Sequence, residues 1–325
     1  MSQTILVTGA AGFIGSHLVE RLINLGHRVV GLDNFDDSYE PHIKWNNVQQ
    51  FGTDERFILS QGDIRDRALL HDLFSKYAFN SVIHLAAKAG VRPSIDQPQL
   101  YEEVNVQGTI NLLEKSHLAP VQRFIFISSS SVFGDSRQIP FKEDQRTGTP
   151  MSPYAASKAA AELFCRTYHH LYGLPIMILR PFTVYGPRQR PGMAIHLFTR
   201  KIDVGEEIHI FGDGSSKRDY TYVGDIVNGI LNALTNKGCQ FDIFNLGNSQ
   251  PVSLNDLVRL IEESLGKKAI IKRLPMQPGD VPITVADISK AKTILGYQPE
   301  TTIEQGVRQF IKWYRTVQPS NSYVR

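Results

Sequence analysis

Tyr154 and Lys158 lie four residues apart at the start of a segment with helical periodicity. Residues at i and i+4 share one face of a helix, so the phenol and the ammonium are expected to be neighbours. A phenol titrates near pH ~10, too high for a general base at neutral pH, but a nearby ammonium stabilises the phenolate and lowers its pKa. The pair therefore predicts proton abstraction by Tyr154, although the same spacing is common in structural helices.

Four consecutive serines, Ser128–Ser131, come directly after the apolar run Phe124–Ile127. In open α/β sheets, ligands bind beyond the carboxyl ends of the strands. These hydroxyls are therefore expected to face a cleft, against the alternative that the serines form an ordinary loop.

Three glycines, Gly9, Gly12 and Gly15, separate the apolar run Ile5–Val7 from a helical segment that begins near Ser16. Glycines allow a tight turn and let the backbone approach a pyrophosphate, which the amide groups and dipole of a helix N-terminus attract. A strand, a glycine turn and a helix in this order predict a dinucleotide-binding loop.

Asp33 ends the second apolar run, 18 residues beyond Gly15. A carboxylate at that point hydrogen-bonds the ribose diol of an adenine dinucleotide and repels a 2′-phosphate. The sequence therefore favours NAD over NADP, against the alternative of a tight turn followed by a surface aspartate.

Apolar runs of strand length alternate with helical segments over about the first 180 residues. Strands that are apolar on both faces belong to a parallel sheet covered by helices on each side. The alternation predicts an α/β fold with a Rossmann-type doubly wound parallel sheet. After Pro181 the pattern loosens, which predicts a smaller C-terminal α/β substrate-binding lobe. The predicted domains are 1–180, with parts of 220–247 added, and 181–325.

Composition excludes several classes of protein. The 325 residues are 42% apolar and 21% charged, and 35 Lys+Arg against 32 Asp+Glu leave a net charge of +3. Scattered, nearly balanced charge predicts neither nucleic-acid binding nor attachment to a membrane surface. Cys165 and Cys239 form no disulfide scaffold or zinc motif, no apolar run has membrane-spanning length, and no signal peptide precedes Ile5. We therefore expect a cytoplasmic enzyme.

The spacing Gly-x-x-Gly-x-x-Gly, together with Asp63–Ile64 and Leu85–Ala87, resembles the extended branch of the short-chain dehydrogenase/reductase superfamily. The resemblance implies NAD as cofactor and a triad of Ser129, Tyr154 and Lys158. The residues that it assigns to the cofactor are Gly9, Gly12, Phe13, Ile14, Gly15, Asp33, Asn34, Asp63, Ile64, Leu85, Ala86, Ala87, Asn105, Tyr154, Lys158 and Phe182.

The runs 179–193, 211–221 and 274–280 are similar to nucleotide-sugar epimerases, most closely the UDP-glucuronate 4-epimerases. Nucleotide-sugar 4,6-dehydratases typically have the sequence Thr-Asp-Glu at the positions where this chain has Ser129–Ser131. The related decarboxylases carry Glu at Ser131 and usually Asn at Thr183, and UDP-glucose 4-epimerases also tend to have Asn at Thr183. Neutral hydroxyls at these positions suit a sugar with a carboxylate at C6.

The resemblance implies C4 epimerisation of UDP-glucuronate to UDP-galacturonate through a 4-keto intermediate. An epimerase of UDP-glucose or UDP-N-acetylglucosamine, a UDP-glucuronate decarboxylase and a non-catalytic NAD(H)-binding regulator are the alternatives, in that order. A homodimer is implied by analogy. The residues assigned to the UDP-sugar are Arg92, Ser129, Ser130, Ser131, Tyr154, Thr183, Arg190, Met193, Arg218 and Asp280.

The segment after the second strand carries fewer signals. Asp36 and Asp37 are interpreted as solvated surface, and the insertion 39–51 has no function that the sequence indicates.

Overall fold

A computed structural model describes residues 2–145, 147, 149–275 and 281–317. The twelve strands are β1 (Thr4–Thr8), β2 (Arg28–Asp33), β3 (Phe57–Gln61), β4 (Ser81–His84), β5 (Arg123–Ile127), β6 (Ile176–Pro181), β7 (Thr183–Tyr185), β8 (Glu207–Phe211), β9 (Lys217–Tyr222), β10 (Phe241–Leu246), β11 (Pro251–Ser253) and β12 (Ile270–Leu274) within those ranges.

Twelve helices, of which the first three alternate with the first strands, lie among the described residues. They are α1 (Phe13–Asn24), α2 (Pro41–Gln49), α3 (Arg67–Lys76), α4 (Val91–Asp96), α5 (Pro98–Glu102), α6 (Gly108–Leu118), α7 (Pro153–Tyr172), α8 (Ala194–Asp203), α9 (Val223–Thr235), α10 (Leu254–Leu265), α11 (Ser289–Leu295) and α12 (Ile303–Val317), with a π-helical turn at Glu103–Gln107 and a 3-10 turn at Ser130–Phe133.

Seven parallel strands form the large sheet, in the order β10-β6-β5-β4-β1-β2-β3. Every residue of β5 and β6 is buried, and apolar clusters cover both faces of the sheet. Continuous apolar runs are what a sheet with helices on both sides requires. The order is that of a doubly wound fold, and the predicted fold class is confirmed.

The second half of the chain forms a smaller α/β lobe. It contains the sheets β11-β9-β7 and β12-β8 and a separate apolar core. Strand β10, from the 220–247 segment, instead forms the edge of the large sheet. The division of the chain at residue 180 stays a prediction.

The start of α7 is fixed by local signals. Ser152 is the N-cap, its Oγ accepts a hydrogen bond from the Ala155 amide at 3.1 Å, and Pro153 occupies the first turn. The helix ends at Gly173 in the left-handed conformation (φ 67°). These signals place Tyr154 in the first turn, at the end of the helix that faces the carboxyl edge of the sheet. None of the described helices has the length and apolarity to cross a bilayer.

Candidate active site

A cavity of about 760 Å³ lies at the carboxyl edge of the large sheet. It is the position where doubly wound sheets bind ligands. Most of the residues predicted from the sequence line it together, although they come from seven separate segments. These are Gly9, Gly12, Phe13, Ile14, Gly15, Asp33, Asn34, Asp63, Ile64, Leu85, Ala86, Ala87, Ser129, Ser130, Ser131, Tyr154, Lys158, Phe182, Thr183, Arg190 and Met193.

The glycine loop packs so closely on neighbouring backbone that Gly9 and Gly15 leave no space for a side chain. Gly9 has φ +70°, and a Cβ there would lie 2.8 Å from the Ala86 amide nitrogen. A Cβ on Gly15 would lie 2.0 Å from the Gly9 carbonyl oxygen. Gly12 caps α1 without a side chain, so the first amides of that helix face the cavity. These features fit a pyrophosphate at the helix N-terminus.

Asp33 is held at the end of β2 by two backbone amides. One carboxylate oxygen accepts from the Ala11 amide at 2.9 Å and the other from the Phe35 amide at 2.9 Å. Each oxygen keeps a lone pair, so the fixed carboxylate fits a ribose diol. Burial raises the pKa of Asp33, and the two amide hydrogen bonds oppose that effect.

Asn34 and Asp63 meet at the neighbouring part of the wall, where the Asn34 amide donates to the Asp63 carboxylate at 2.9 Å. Arg65 pairs with the same carboxylate at 2.9 Å and with Glu103 at 3.1 Å. The loops after β2 and β3 are therefore joined at the end of the cavity next to Asp33.

Ser129, Tyr154 and Lys158 face one another at the other end of the cavity. The Ser129 hydroxyl hydrogen-bonds the Tyr154 phenol, and the Ser131 hydroxyl donates to Ser129 Oγ at 2.9 Å. Lys158 is buried at 3% exposure, and its ammonium donates to the Ile127 carbonyl at 2.8 Å. A chain of hydroxyls thus ends on the phenol oxygen.

The pKa values of this group differ in one respect from the sequence-based expectation. Burial raises the pKa of Tyr154, while the hydrogen bond from Ser129 and the positive charge of Arg190 lower it. Burial also lowers the pKa of Lys158 to about 8. The pKa of the Tyr154 phenol therefore lies above its usual value in this structure, contrary to the expected lowering, and Ser129 and Arg190 only partly oppose the effect of burial.

Arg190 lines the cavity on the loop between β7 and α8. Its guanidinium donates to the Ala89 carbonyl at 3.0 Å and contacts Met193 Sδ at 3.5 Å. Among the described residues no carboxylate forms an ion pair with it. A half-buried cation without a protein counter-charge fits an anionic ligand.

Three predicted contacts lie outside the cavity lining, and a fourth is not among the described residues. Asn105 is buried in the π-helical turn, where its amide binds both the N–H and the C=O of Lys88, at 2.8 and 3.0 Å. It therefore supports the loop that follows β4. Arg92 is exposed, with its guanidinium 5.4 Å from the centre of the Phe211 ring. Arg218 is half-buried on β9. Asp280 lies outside the described residues.

The interpretation of Asp36 as solvated surface is wrong. Its carboxylate binds the buried ammonium of Lys44, and it also pairs with Lys88 at 2.7 Å. These charges lower the pKa of Asp36 against its burial. The bridge joins the loops after β2 and β4 beside the cavity. Asp37, in contrast, is exposed as expected.

The insertion 39–51 forms helix α2 and supports the same wall. Asn47 donates to the carbonyl of Ala11 in the glycine loop at 3.0 Å, and Trp45 stacks on Phe35 with ring centroids 3.8 Å apart. The sequence carried no signal for this packing, because Phe35 precedes Trp45 by ten residues and Ala11 precedes Asn47 by 36.

Comparison with known proteins identifies close relatives of this chain. The family described as GDP-mannose 4,6 dehydratase matches residues 6–310. A UDP-glucuronate 4-epimerase of Thermodesulfobacterium geofontis is 43% identical, with 95% of each chain covered. The crystal structure of a UDP-glucuronic acid 4-epimerase from Bacillus cereus, in complex with UDP-glucuronic acid and NAD, superposes with a TM-score of 0.90 at 38% identity, covering 97% of this chain and 100% of that one. A UDP-glucose 4-epimerase of Thermotoga maritima with UDP-glucose gives 0.88 at 34% identity, covering 97% and 99%.

Proposed function

The chain belongs to the GDP-mannose 4,6 dehydratase family of extended short-chain dehydrogenases/reductases, and on that premise we propose that it is an NAD-dependent UDP-glucuronate 4-epimerase. It converts UDP-glucuronate to UDP-galacturonate through a 4-keto sugar and is therefore an isomerase. The observation that carries the proposal is the set of neutral hydroxyls at Ser129–Ser131 and Thr183, on a cavity that also holds Tyr154 and Lys158. The family description does not fix the activity, because the acid and base of a dehydratase are replaced here by serines.

The adenosine part of NAD and the reacting sugar occupy opposite ends of the cavity. The glycine loop and Asp33 hold the pyrophosphate and adenosine ribose of NAD, with Asn34, Asp63 and Ile64 near the adenine. When bound, the nicotinamide supplies a reversible hydride acceptor beside the sugar. Lys158 holds positive charge next to the reacting phenol, and Phe182 closes the wall beside it.

Tyr154 moves the proton of the reaction. Its ionised oxygen accepts the proton of the sugar C4 hydroxyl as the ketone forms, and it returns that proton when the ketone is reduced from the opposite face. Ser129 donates to the same oxygen, so it stabilises the phenolate. The positive charge of Arg190 does the same, which gives this arginine a second role besides binding the UDP-sugar.

The 4-keto sugar carries its ketone β to the C6 carboxylate, and such acids lose CO₂ when the bond to the carboxylate aligns with the carbonyl π system. Neutral hydrogen bonds can hold the carboxylate out of that alignment. Among the described residues the hydroxyls of Ser130 and Thr183 have no protein partner, so they are available for this. The Ser131 hydroxyl donates its hydrogen bond to Ser129, so it supports Ser129 and does not donate to the carboxylate.

Purified protein incubated with UDP-glucuronate is expected to give UDP-galacturonate as the main product, because the site has no acid at Ser131. Separation of the nucleotide sugars by ion-exchange chromatography measures the products. UDP-glucose and UDP-N-acetylglucosamine are run in parallel as competing substrates. Turnover of UDP-glucose beside unchanged UDP-glucuronate would reverse the choice of substrate, and a UDP-pentose as the main product would make the protein a decarboxylase.

We also propose that the enzyme is a cytoplasmic homodimer that pairs through α6 and α7. The two free cysteines suit a reducing compartment. Three leucines on the outer faces of these helices, Leu118, Leu163 and Leu171, are 66%, 64% and 60% exposed. Exposed apolar side chains grouped on two adjacent helices are typical of an interface.

Leu163→Glu is therefore expected to shift the protein from dimer to monomer, because a charge would be buried at the contact. Sedimentation velocity at micromolar concentration measures the mass. Leu25→Glu, at the exposed residue that follows α1, is the matched control and should stay dimeric. A wild-type protein that sediments as a monomer contradicts the proposed dimer.

A further inference from the structure

A buried ion pair lies directly behind the wall that carries Ser129 and Lys158. Glu162 and Arg180 are 6% and 2% exposed, and their side chains meet in two parallel hydrogen bonds of 2.9 and 2.6 Å. The Ser128 hydroxyl donates to the same carboxylate at 2.5 Å. Neither Glu162 nor Arg180 lines the cavity.

The carboxylate of Glu162 connects the three segments that form the reactive end of the site. Glu162 lies on α7, one turn after Lys158 and two turns after Tyr154. Ser128 immediately precedes Ser129 at the end of β5, and Arg180 lies on β6, three residues before Thr183. The Glu162 side chain thus holds α7, which carries the base Tyr154, against β5 and β6, which lead to the hydroxyls of Ser129 and Thr183.

Stability does not account for this pair. A buried ion pair loses its hydration, and replacing it with well-packed apolar side chains of similar volume is often neutral or stabilising. Apart from Arg180 and Pro181, the residues of β6 are apolar and fully buried. Arg180 also keeps one nitrogen, Nη1, without a partner, while its guanidinium stacks on Phe133 at 4.9 Å.

The charge of Glu162 also reaches the reacting group. Burial lowers the pKa of Lys158 to about 8, and the negative charge of Glu162 opposes this effect. Glu162 therefore helps the ammonium to persist at neutral pH.

We infer that Glu162 and Arg180 are positioning residues for the epimerisation, whose buried pair holds Ser129, Tyr154 and Lys158 in one reactive arrangement. They touch neither the sugar nor the cofactor and act through Ser128 and through the helix. The inference rests on the proposed function, because its effects are measured on that reaction.

Glu162→Gln tests the inference, since it keeps the shape of the side chain and removes its charge. We expect kcat to fall by roughly 10- to 100-fold, the effect of a displacement of about 1 Å in a reactive geometry, with KM within about twofold. We also expect the alkaline limb of the pH profile of kcat to move to lower pH. The sign follows because loss of the carboxylate removes a charge that favours ammonium, so the pKa of Lys158 falls below about 8.

The double variant Glu162→Met/Arg180→Met separates positioning from stability. It removes both charges together and is expected to unfold at or above the wild-type temperature, yet to keep the loss in kcat. Glu263→Gln, which breaks the exposed pair with Arg259 (3.0 Å), is the matched control and should leave kcat and its pH profile unchanged.

Wild-type kcat and an unmoved alkaline limb in Glu162→Gln would overturn the inference, as would recovery of kcat in the double variant. Failure of the double variant to fold would also overturn it, because the pair would then be structural. If the wild-type protein turned over only another UDP-sugar, the proposed substrate would fail while the positioning inference would be measured on that sugar.

Discussion

Replacing Tyr154 with phenylalanine is expected to lower kcat by about 10²–10⁴-fold, the contribution of a positioned general acid–base group. The change removes only the oxygen that accepts the proton of the C4 hydroxyl. The ring stays in place, because it packs edge-on against Tyr101 with centroids 6.1 Å apart and an interplanar angle of 82°. Binding of UDP-glucuronate and NAD should therefore change little, so that kcat falls with an almost constant KM.

Steady-state kinetics and isothermal titration calorimetry measure the two parts of this prediction. Tyr77→Phe is the matched control, since Tyr77 is half-buried against Phe79 and far from the cavity, and it should retain wild-type kcat. Full turnover by the Tyr154 variant would remove the proposed base and, with it, the mechanism. A variant that lost sugar binding together with turnover would instead give Tyr154 a binding role.

Local signals made the fold and the cofactor loop predictable from the sequence. The apolar runs in β5 and β6 are buried on both faces, so their composition directly indicates strands in a sheet covered by helices on both sides. Gly9 and Gly15 are required by contacts within a few residues of the chain or with the adjacent strand end. Spacing alone therefore indicated the turn. The same holds for Tyr154 and Lys158, which one helix brings together.

Residues whose partners are distant in sequence were not predictable in the same way. Asp36 looks like a solvated loop residue, because neither Lys44 nor Lys88 forms a recognisable motif with it. Glu162 looks like the outer face of a helix until Arg180 is placed beside it. The fold brings these charged groups together, and the periodicity of the sequence does not indicate which of them form ion pairs.

The substrate was predicted by resemblance rather than by physical chemistry. Hydroxyls at Ser130 and Thr183 exclude an acid at those positions but do not by themselves select a carboxylate. The structure adds a reason for separating Ser131 from the other two, since a hydroxyl has one proton and that of Ser131 is directed to Ser129. The tests of substrate and of mechanism are consequently independent.

Gly15→Ala is expected to reduce NAD affinity by at least about 100-fold, as a displaced backbone misplaces every group on it. The new Cβ would lie 2.0 Å from the Gly9 carbonyl oxygen and 2.9 Å from the Gly9 carbonyl carbon, and both belong to backbone that cannot rotate away. The loop must open, which moves the amides of α1 away from the pyrophosphate. Overpacking of this kind also lowers the free energy of unfolding by about 1–3 kcal/mol.

The NAD content of the purified protein, the dissociation constant for added NAD and the unfolding temperature together measure this effect. Gly238→Ala is the matched control, because the nearest atom to its Cβ would be Asn236 Oδ1 at 3.9 Å, an ordinary contact far from the cavity. It should purify with wild-type NAD content. A Gly15 variant that retained the same NAD would mean that the pyrophosphate does not depend on the close approach of the glycine loop, and the cofactor would then have to be held chiefly through Asp33 and the adenine end.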